Sequence, residues 1–189
     1  MSIQVRRARE RAERERLIVT TARKLAESEG WDAVTTRRLA EEIEYSQPVL
    51  YSHFKGKDAI MAAVAVEGFA DLAAELCAAR TSATDPRQAL AAVGAAYAAF
   101  AERRPALYDA MFTHTVDLPF ATPEAPPALQ AAFGGLREAV RPLVRDDDLE
   151  TLTETIWSGL HGLLMLMRSG RLRREDHERR LALLLSRFS

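Results

Sequence analysis

Apolar residues recur every three to four positions along almost the whole of this 189-residue chain, and this pattern restricts its fold more than any other feature. The segment 9–29, for example, places Leu17, Ile18 and Leu25 on one helical face, and Gly30 follows as a helix stop. The alternating pattern of a strand and the Asn-Gly or Asp-Gly turn of a hairpin are both missing from the sequence. The sequence therefore predicts an all-α protein.

Helix-stopping residues divide the chain into separate helical segments. Helices are predicted at residues 9–29, 36–43, 47–53, 57–79, 86–103, 105–113, 128–145, 147–168 and 174–186. We expect Ser46 and Asp85 to cap two of them, because their side-chain oxygens accept hydrogen bonds from first-turn N–H groups. Thr35 or Thr36 has the same role before the second helix. The predicted architecture is a three-helix head (1–57), a connecting helix (58–80) and a helical body (81–189).

Residue composition excludes several classes of protein. Cys77 is the single cysteine, so an internal disulfide is impossible, and this favours a cytoplasmic location. The first residues lack the apolar core of a signal peptide. No segment approaches the roughly 20 apolar residues needed to cross a bilayer. We therefore expect a cytoplasmic protein without a membrane partner.

Motifs for catalysis, cofactor binding and metal binding are absent from the sequence. The four histidines do not have the spacing of a metal site. Glycine-rich phosphate loops and nucleophile elbows are also missing. The consecutive acids Asp146, Asp147 and Asp148 suit the N-terminal end of a helix through its dipole, with a cation site as the alternative. The sequence thus predicts no catalytic residue, no cofactor and no metal, while a small helical enzyme with His161 or His114 as its base stays an alternative.

The stretch 35–57 carries the clearest functional pattern, TTRRLAEEIEYSQPVLYSHFKGK. Two short helices separated by a tight turn form a helix-turn-helix motif. Its apolar residues, among them Leu39 and Leu50, would pack inside the head. The residues left to face outward are Arg37, Gln47, Pro48, Ser52 and His53. A recognition helix enters the DNA major groove by its N-terminal residues, which here are Ser46, Gln47, Pro48 and Val49.

These outward side chains match the chemistry of base recognition. Glutamine pairs with the N6/N7 edge of adenine, and arginine with O6/N7 of guanine. Threonine, serine, tyrosine and lysine hold phosphates and set the register. Residues 1–57 contain twelve Lys and Arg against nine Asp and Glu, whereas the rest of the chain has a net charge of −4. The pattern therefore indicates DNA binding, and its alternative is a helical interaction module without DNA binding.

From Thr35 to Ala65 the chain resembles the DNA-binding domain of the tetracycline-repressor (TetR/AcrR) family of bacterial transcription regulators. The segment TTRRLAEEI is similar to the second helix of that domain, and SQPVLYSHFKGKDAI to its recognition helix and the start of its fourth helix. The spacing of Leu50, Tyr51, His53, Phe54 and Lys57 is the most specific part, and TARKLAESEG upstream also matches. The resemblance implies a DNA-binding repressor that is released by a small apolar effector.

The resemblance also implies a role for each matching residue of the helix-turn-helix. Base contacts are implied for Arg37 with guanine, for Gln47 with adenine, and for Pro48 and Val49 with thymine methyl groups. Phosphate contacts are implied for Thr36, Tyr51, His53 and Lys57. Together these residues form the predicted DNA-binding surface.

Two features lie outside this resemblance. Family members commonly have glycine in the turn between the two helices, where this chain has Glu44. A left-handed conformation costs a non-glycine residue about 1 kcal/mol, so we expect a slightly different turn. The N-terminal run RRARERAERER is either a basic arm that reaches the minor groove or, as its glutamates favour, a solvated start of the first helix.

The two C-terminal helices have more apolar surface than a single packing partner needs. Symmetric DNA half-sites are bound by dimers, and family members pair two helices from each chain as a four-helix bundle. The resemblance therefore implies a homodimer on a palindromic operator. The residues expected in its interface are Leu160, Leu164, Leu181 and Leu184, with burial in the chain's own core as the alternative.

The segment IWSGLHGLLMLM contains Trp157, His161 and Gly162 in a W-x-x-x-H-G pattern, which resembles a subgroup of these regulators. A four-residue spacing places Trp157 and His161 on one helical face. Aromatic and methionine side chains around a proline-rich loop suit an apolar pocket for an unknown small-molecule effector, with ordinary core packing as the alternative. The predicted lining consists of Phe100, Met111, Phe112, Trp157 and His161.

Overall fold

The computed structural model describes residues 3–146 and 148–188, and within them the chain forms nine α-helices and three short 3₁₀ turns. The α-helices are α1 (Ile3–Glu29), α2 (Thr36–Glu42), α3 (Gln47–His53), α4 (Lys57–Thr81), α5 (Pro86–Arg103), α6 (Pro105–Phe112), α7 (Pro127–Val140), α8 (Leu149–Arg168) and α9 (His177–Leu185). The 3₁₀ turns are Trp31–Ala33, Arg141–Leu143 and Arg174–Asp176. The prediction of an all-α protein is confirmed.

The first helix is longer than its apolar pattern predicts, because it begins at Ile3 rather than at residue 9. Its first turns have no buried face and are held instead by side chains four residues apart. Guanidinium–carboxylate pairs join Arg6 to Glu10 at 3.6 Å, Arg9 to Glu13 at 2.9 Å and Arg11 to Glu15 at 2.8 Å. Such pairs stabilise a helix without tertiary contacts, and they leave no mark on the apolar periodicity of the sequence.

Side-chain caps fix the starts of several helices. Thr35 accepts a hydrogen bond from the Arg38 N–H at 3.1 Å, and Asp85 accepts from two first-turn N–H groups at 2.9 Å each. Asp148 accepts from the Thr151 N–H at 2.8 Å, so α8 begins at Leu149, two residues later than predicted. That bond also lowers the pKa of the Asp148 carboxyl. The predicted Ser46 cap is wrong as a side-chain cap, because only its carbonyl accepts bonds from α3.

Asp147, the predicted first residue of the eighth helix, lies outside the described residues. The predicted helix 128–145 is shorter in the structure. It ends at Val140, and Pro142 follows in a 3₁₀ turn because proline lacks the N–H group that a longer helix requires.

The chain forms two compact units whose boundaries differ from the predicted segments. The first comprises the residues up to Gly68 together with Arg104–Ala125, and the second comprises Phe69–Arg103 together with the residues from Pro126 onward. The first unit therefore contains α6, which was predicted to belong to the body. The functional division into DNA-binding, connecting and ligand-binding segments stays a prediction.

Inside the first unit, hydrogen bonds attach α6 to the end of α1. The Glu27 carboxylate accepts from the backbone N–H groups of Leu107 at 2.9 Å and Ala106 at 3.2 Å. The indole Nε1 of the buried Trp31 donates to the Ala106 carbonyl at 2.7 Å. A negative side chain at the N-terminal end of α6 satisfies N–H groups that have no partner within the helix. These long-range bonds explain why α6 belongs to the unit that holds the helix-turn-helix.

In the second unit, glycines allow helices to approach closely around an aliphatic core. A Cβ atom added at Gly94 of α5 would lie 2.6 Å from a methyl carbon of Leu185, and one at Gly159 of α8 would lie 3.0 Å from Leu184. Helices α5, α7, α8 and α9 thus pack around a common core that includes Leu160 and Leu164. In the described part of the chain, every helix is too short or too polar to traverse a bilayer.

Candidate nucleic-acid interface

Helices α2 and α3 form the predicted helix-turn-helix, and their inner faces are fully buried at Leu39 and Leu50. The turn between them ends α2 with two backbone bonds. The Tyr45 N–H donates to the Ala40 carbonyl at 2.9 Å, and the Glu44 N–H donates to the Glu41 carbonyl at 3.3 Å. This pair of bonds is the Schellman arrangement, which requires a left-handed residue just after the helix.

Glu44 occupies that left-handed position, with φ of 56°. We predict that Glu44→Gly stabilises the protein by about 1 kcal/mol and raises its Tm by about 2–4 °C, because glycine adopts this conformation without a Cβ clash. Thermal unfolding followed by circular dichroism measures the change. Glu41→Gly, one turn earlier within α2, is the matched control and should destabilise the protein by about 1 kcal/mol. An unchanged or lower Tm for Glu44→Gly contradicts the expected strain.

The N-terminal end of α3 presents the predicted base-reading residues to solvent. Ser46, Gln47, Pro48 and Val49 are all exposed. Val49 is aliphatic, yet 39% of its surface is accessible to solvent. The polar side chain of Gln47 and the apolar side chain of Val49, both exposed on this short helix, suit the edges of bases in a major groove.

Two predicted phosphate-binding residues lie together beside this surface. Tyr51 is 52% exposed, and its hydroxyl lies 3.4 Å from the Thr36 hydroxyl. Arg37 is also exposed, and its guanidinium pairs with the Glu41 carboxylate at 3.0 Å. That surface pair is weak in solvent, so the Arg37 side chain can exchange it for a base or phosphate.

The prediction that His53 faces outward is wrong. Its side chain is only 5% exposed, and its Nδ1 lies 3.3 Å from the Glu15 carboxylate of α1. The reason is non-local, since the N-terminal part of α1 covers the end of α3. Arg11 adds a second bond there, from its guanidinium to the Ser52 carbonyl at 3.3 Å.

Lys57 is half-buried at the start of α4, and its ammonium donates to the backbone carbonyl of Trp31. An ammonium has three donor positions, so this bond still leaves donors for a phosphate. The structure thus gives Lys57 a structural contact that its sequence motif did not indicate. The contacts of Arg11 and Glu15 with the end of α3 were not predicted from the sequence either. The one sequence signal for these two residues is their four-residue spacing, which indicates an ion pair on one helix.

Three of the four predicted dimer-interface residues are buried in their own chain. Leu160, Leu164 and Leu181 have at most 9% of their surface exposed, so they have almost nothing left to bury against a partner. This part of the prediction is wrong, and only the half-exposed Leu184 retains accessible surface. The large apolar side chains that remain exposed on α8 and α9 are Leu166, at 43%, and Leu183, at 54%.

The predicted pocket residues fall in both compact units. Met111 and Phe112 belong to the first unit, and Phe100, Trp157 and His161 belong to the second. Phe100 and Met111 are buried, and the other three are half-buried. The Trp157 Nε1–H donates to the Tyr97 hydroxyl at 3.0 Å, and the Trp157 and His161 ring centroids are 6.4 Å apart. Their joint role as a pocket stays a prediction.

Burial lowers the pKa of the His161 imidazole, and the positive charge of Arg168 lowers it further. Both effects favour the neutral form of His161, because a half-buried ring loses hydration when it is charged. In the part of the chain that the structure describes, no three histidine, cysteine, aspartate or glutamate side chains are grouped as a metal site.

Solved structures with the same fold include regulators of transcription. A protein of unknown function from Rhodococcus sp. RHA1 is 24% identical, with a TM-score of 0.77 and 92% of each chain covered. The protein RolR in complex with resorcinol is 19% identical, with a TM-score of 0.70 over 96% of this chain and 90% of that one. The TetR family transcriptional regulator PfmR from Thermus thermophilus is 20% identical, with a TM-score of 0.58 over 90% and 95% of the two chains. No curated protein sequence matches the chain.

Family models cover both ends of the chain. Residues 18–64 match the model for bacterial regulatory proteins of the tetR family, and residues 90–188 match the model for a tetracyclin repressor-like C-terminal domain. The second match alone spans more than half of the chain. These matches favour a regulator over the alternative of a small helical enzyme. The resemblance of the W-x-x-x-H-G pattern to one subgroup is not tested by them. With a helix-turn-helix in its first unit and both family domains in sequence, the chain belongs to the TetR family of DNA-binding transcription regulators.

Proposed function

We propose that this regulator binds a palindromic operator as a homodimer and releases it when a small apolar molecule binds. The observation that carries this proposal is the exposed Gln47-Pro48-Val49 surface on a short helix whose opposite face is buried. In a dimer, two such helices would enter successive major grooves about 34–36 Å apart.

Selection from a random-sequence duplex library tests the operator part directly. We expect the recovered duplexes to share an inverted repeat whose half-site centres lie about one helical turn apart, or a multiple of it. Purified full-length protein is used without added effector. Failure to enrich any shared sequence, by a protein that is folded by circular dichroism, would contradict the proposal.

Gln47 and Lys57 are expected to contribute in different ways. Gln47→Ala should weaken binding to the selected duplex by about 1–3 kcal/mol and relax one base position, because it removes a bidentate base contact. Lys57→Ala should weaken binding to all sequences and lower the log–log salt slope by about 1, because it removes a phosphate contact. Fluorescence anisotropy at several salt concentrations measures both effects.

Gln88→Ala, on the surface of the second unit, is the matched control for the glutamine substitution and should bind like the wild type. Because Lys57 also bonds the Trp31 carbonyl, the Tm of its variant is measured alongside. Identical sequence profiles and salt slopes for Gln47→Ala and Lys57→Ala would contradict the assigned roles.

The dimer surface proposed here consists of the exposed apolar faces of α8 and α9, centred on Leu166 and Leu183. Gly162, on the same face of α8 as Leu166, has no atom within 4 Å of an added Cβ, so a second helix can approach there closely. Leu184 is half-exposed and continues the apolar surface on α9. This surface replaces the buried leucines that the sequence pattern indicated.

The effector proposal rests on Trp157 and His161, which lie together on α8 as half-buried aromatic side chains. The complex of the structurally similar RolR with resorcinol supports a small aromatic molecule as the class to try first. We expect a compound of this class to raise the Tm and also to release the selected duplex. A screen in which no aromatic compound does both, with Trp157→Ala only unfolding the protein, would remove the effector claim.

A further inference from the structure

The positive charge of the head comes entirely from the first four turns of α1. Residues 3–17, here called the basic extension, contain six arginines against three glutamates, an excess of +3. Residues 18–57, which contain the rest of α1, α2 and α3, hold six basic and six acidic residues and are neutral. Non-specific attraction to DNA depends on the phosphates that a protein neutralises, and the helix-turn-helix alone has no charge excess for that.

The basic extension is exposed along its whole length, yet it is an ordered helix. It contains no buried residue, and at 1.5 Å per residue it is about 22 Å long. Three of its arginines pair with glutamates of the same helix. Within the described chain, the other three, Arg7, Arg14 and Arg16, form no ion pair and remain available for a partner.

Contacts with the recognition helix hold the basic extension next to the DNA-binding surface. Arg11 bonds the Ser52 carbonyl at 3.3 Å, and Glu15 lies 3.3 Å from the His53 imidazole. Both contacts are at the C-terminal end of α3, less than two helical turns from Gln47. An exposed basic helix in this position fits a polyanion beside the groove that α3 enters.

We infer that the basic extension binds phosphates of the DNA flanking each half-site and supplies most of the protein's non-specific affinity for DNA. This inference rests on the proposed operator binding and adds a second, sequence-independent contact to it. The internal Arg–Glu pairs do not oppose it, because exposed ion pairs of this kind contribute little and exchange readily with phosphate. Arg11 and Glu15 act as positioning residues that fix the helix to α3.

The test compares two triple variants that remove the same charge. One carries Arg7→Gln, Arg14→Gln and Arg16→Gln in the basic extension. The control carries Arg87→Gln, Arg145→Gln and Arg171→Gln, three exposed arginines of the second unit that have no ion pair among the described residues. Glutamine has a helix propensity close to that of arginine, so the fold should survive, and circular dichroism verifies it.

Binding is measured on a mixed-sequence 40-base-pair duplex and on the duplex recovered by selection, at 50–300 mM salt. We expect the extension variant to lose about 2–3 from the log–log salt slope per protomer, and the control less than 1. Hydroxyl-radical footprints should shorten on both sides of the selected site, while the base preference at the Gln47 position stays unchanged.

Three outcomes decide the inference. Equal slopes for the wild type and the extension variant would overturn it and leave the segment a solvated helix. An equal loss of salt slope in the extension variant and in the control would also overturn it, because the effect would then come from the net charge of the molecule. Failure of the wild type to select any duplex would instead refute the proposed operator binding. That result is distinct from the two that would overturn the inference on the basic extension.

Discussion

Replacing both Leu166 and Leu183 by aspartate is expected to convert the proposed dimer into monomers and to weaken binding to the proposed operator by about 10²–10⁴-fold. Both leucines are exposed on one chain, on α8 and α9. In a dimer centred on these side chains, four carboxylates would be buried without partners. Each monomer would then hold a single half-site, without the gain in effective concentration that linked half-sites provide.

Light scattering should give a mass near the 21.0 kDa of one chain for the double variant, against twice that mass for the wild type. Phe120→Asp, at an exposed aromatic residue outside α8 and α9, is the control and should remain dimeric. Leu160→Asp distinguishes the loss of a dimer contact from the loss of the fold. It places a charge in the protomer core and should unfold the protein. A double variant that keeps the dimer mass would contradict the proposed surface.

Trp31→Ala is expected to destabilise the first unit by about 3–5 kcal/mol, the typical cost of removing a buried tryptophan. The Trp31 side chain is buried, and its Nε1–H donates to the Ala106 carbonyl at 2.7 Å. Truncation leaves a cavity and an unpaired carbonyl in the contact between α1 and α6. Urea denaturation measures the loss as a lower midpoint.

Trp31→Phe distinguishes the two contributions to this effect. Phenylalanine fills most of the volume but cannot donate a hydrogen bond, so we expect a loss of about 1–3 kcal/mol. Glu27→Gln keeps one acceptor oxygen but places an NH₂ donor against the second N–H group, of Ala106 or Leu107, so we expect a loss of about 1–3 kcal/mol. A Trp31→Ala variant as stable as the wild type would show that α6 is not held to α1 by this side chain.

The sequence determined the features that depend on neighbouring residues. The boundaries of α3 follow from Pro48 at its start and the FKGK break after His53, and the observed helix is the predicted one. The turn between α2 and α3 was also located at Glu44; a slightly different turn was expected there, and in the structure Glu44 itself adopts the left-handed conformation. These features are local, because caps, turns and helical periodicity involve residues only three or four positions apart.

The tertiary structure decided which residues of each helix remain accessible. The sequence context of His53 suits a phosphate contact, yet α1 covers its side chain. The sequence context of Leu160 suits a dimer face, yet α5 and α9 cover that side of α8. The assignment of α6 to the first unit depends likewise on Glu27 and Trp31, which lie more than seventy positions away. Periodicity shows that a helix has an apolar face but not what covers it. Burial is decided by contacts between residues far apart in the chain, and only the folded structure specifies those contacts.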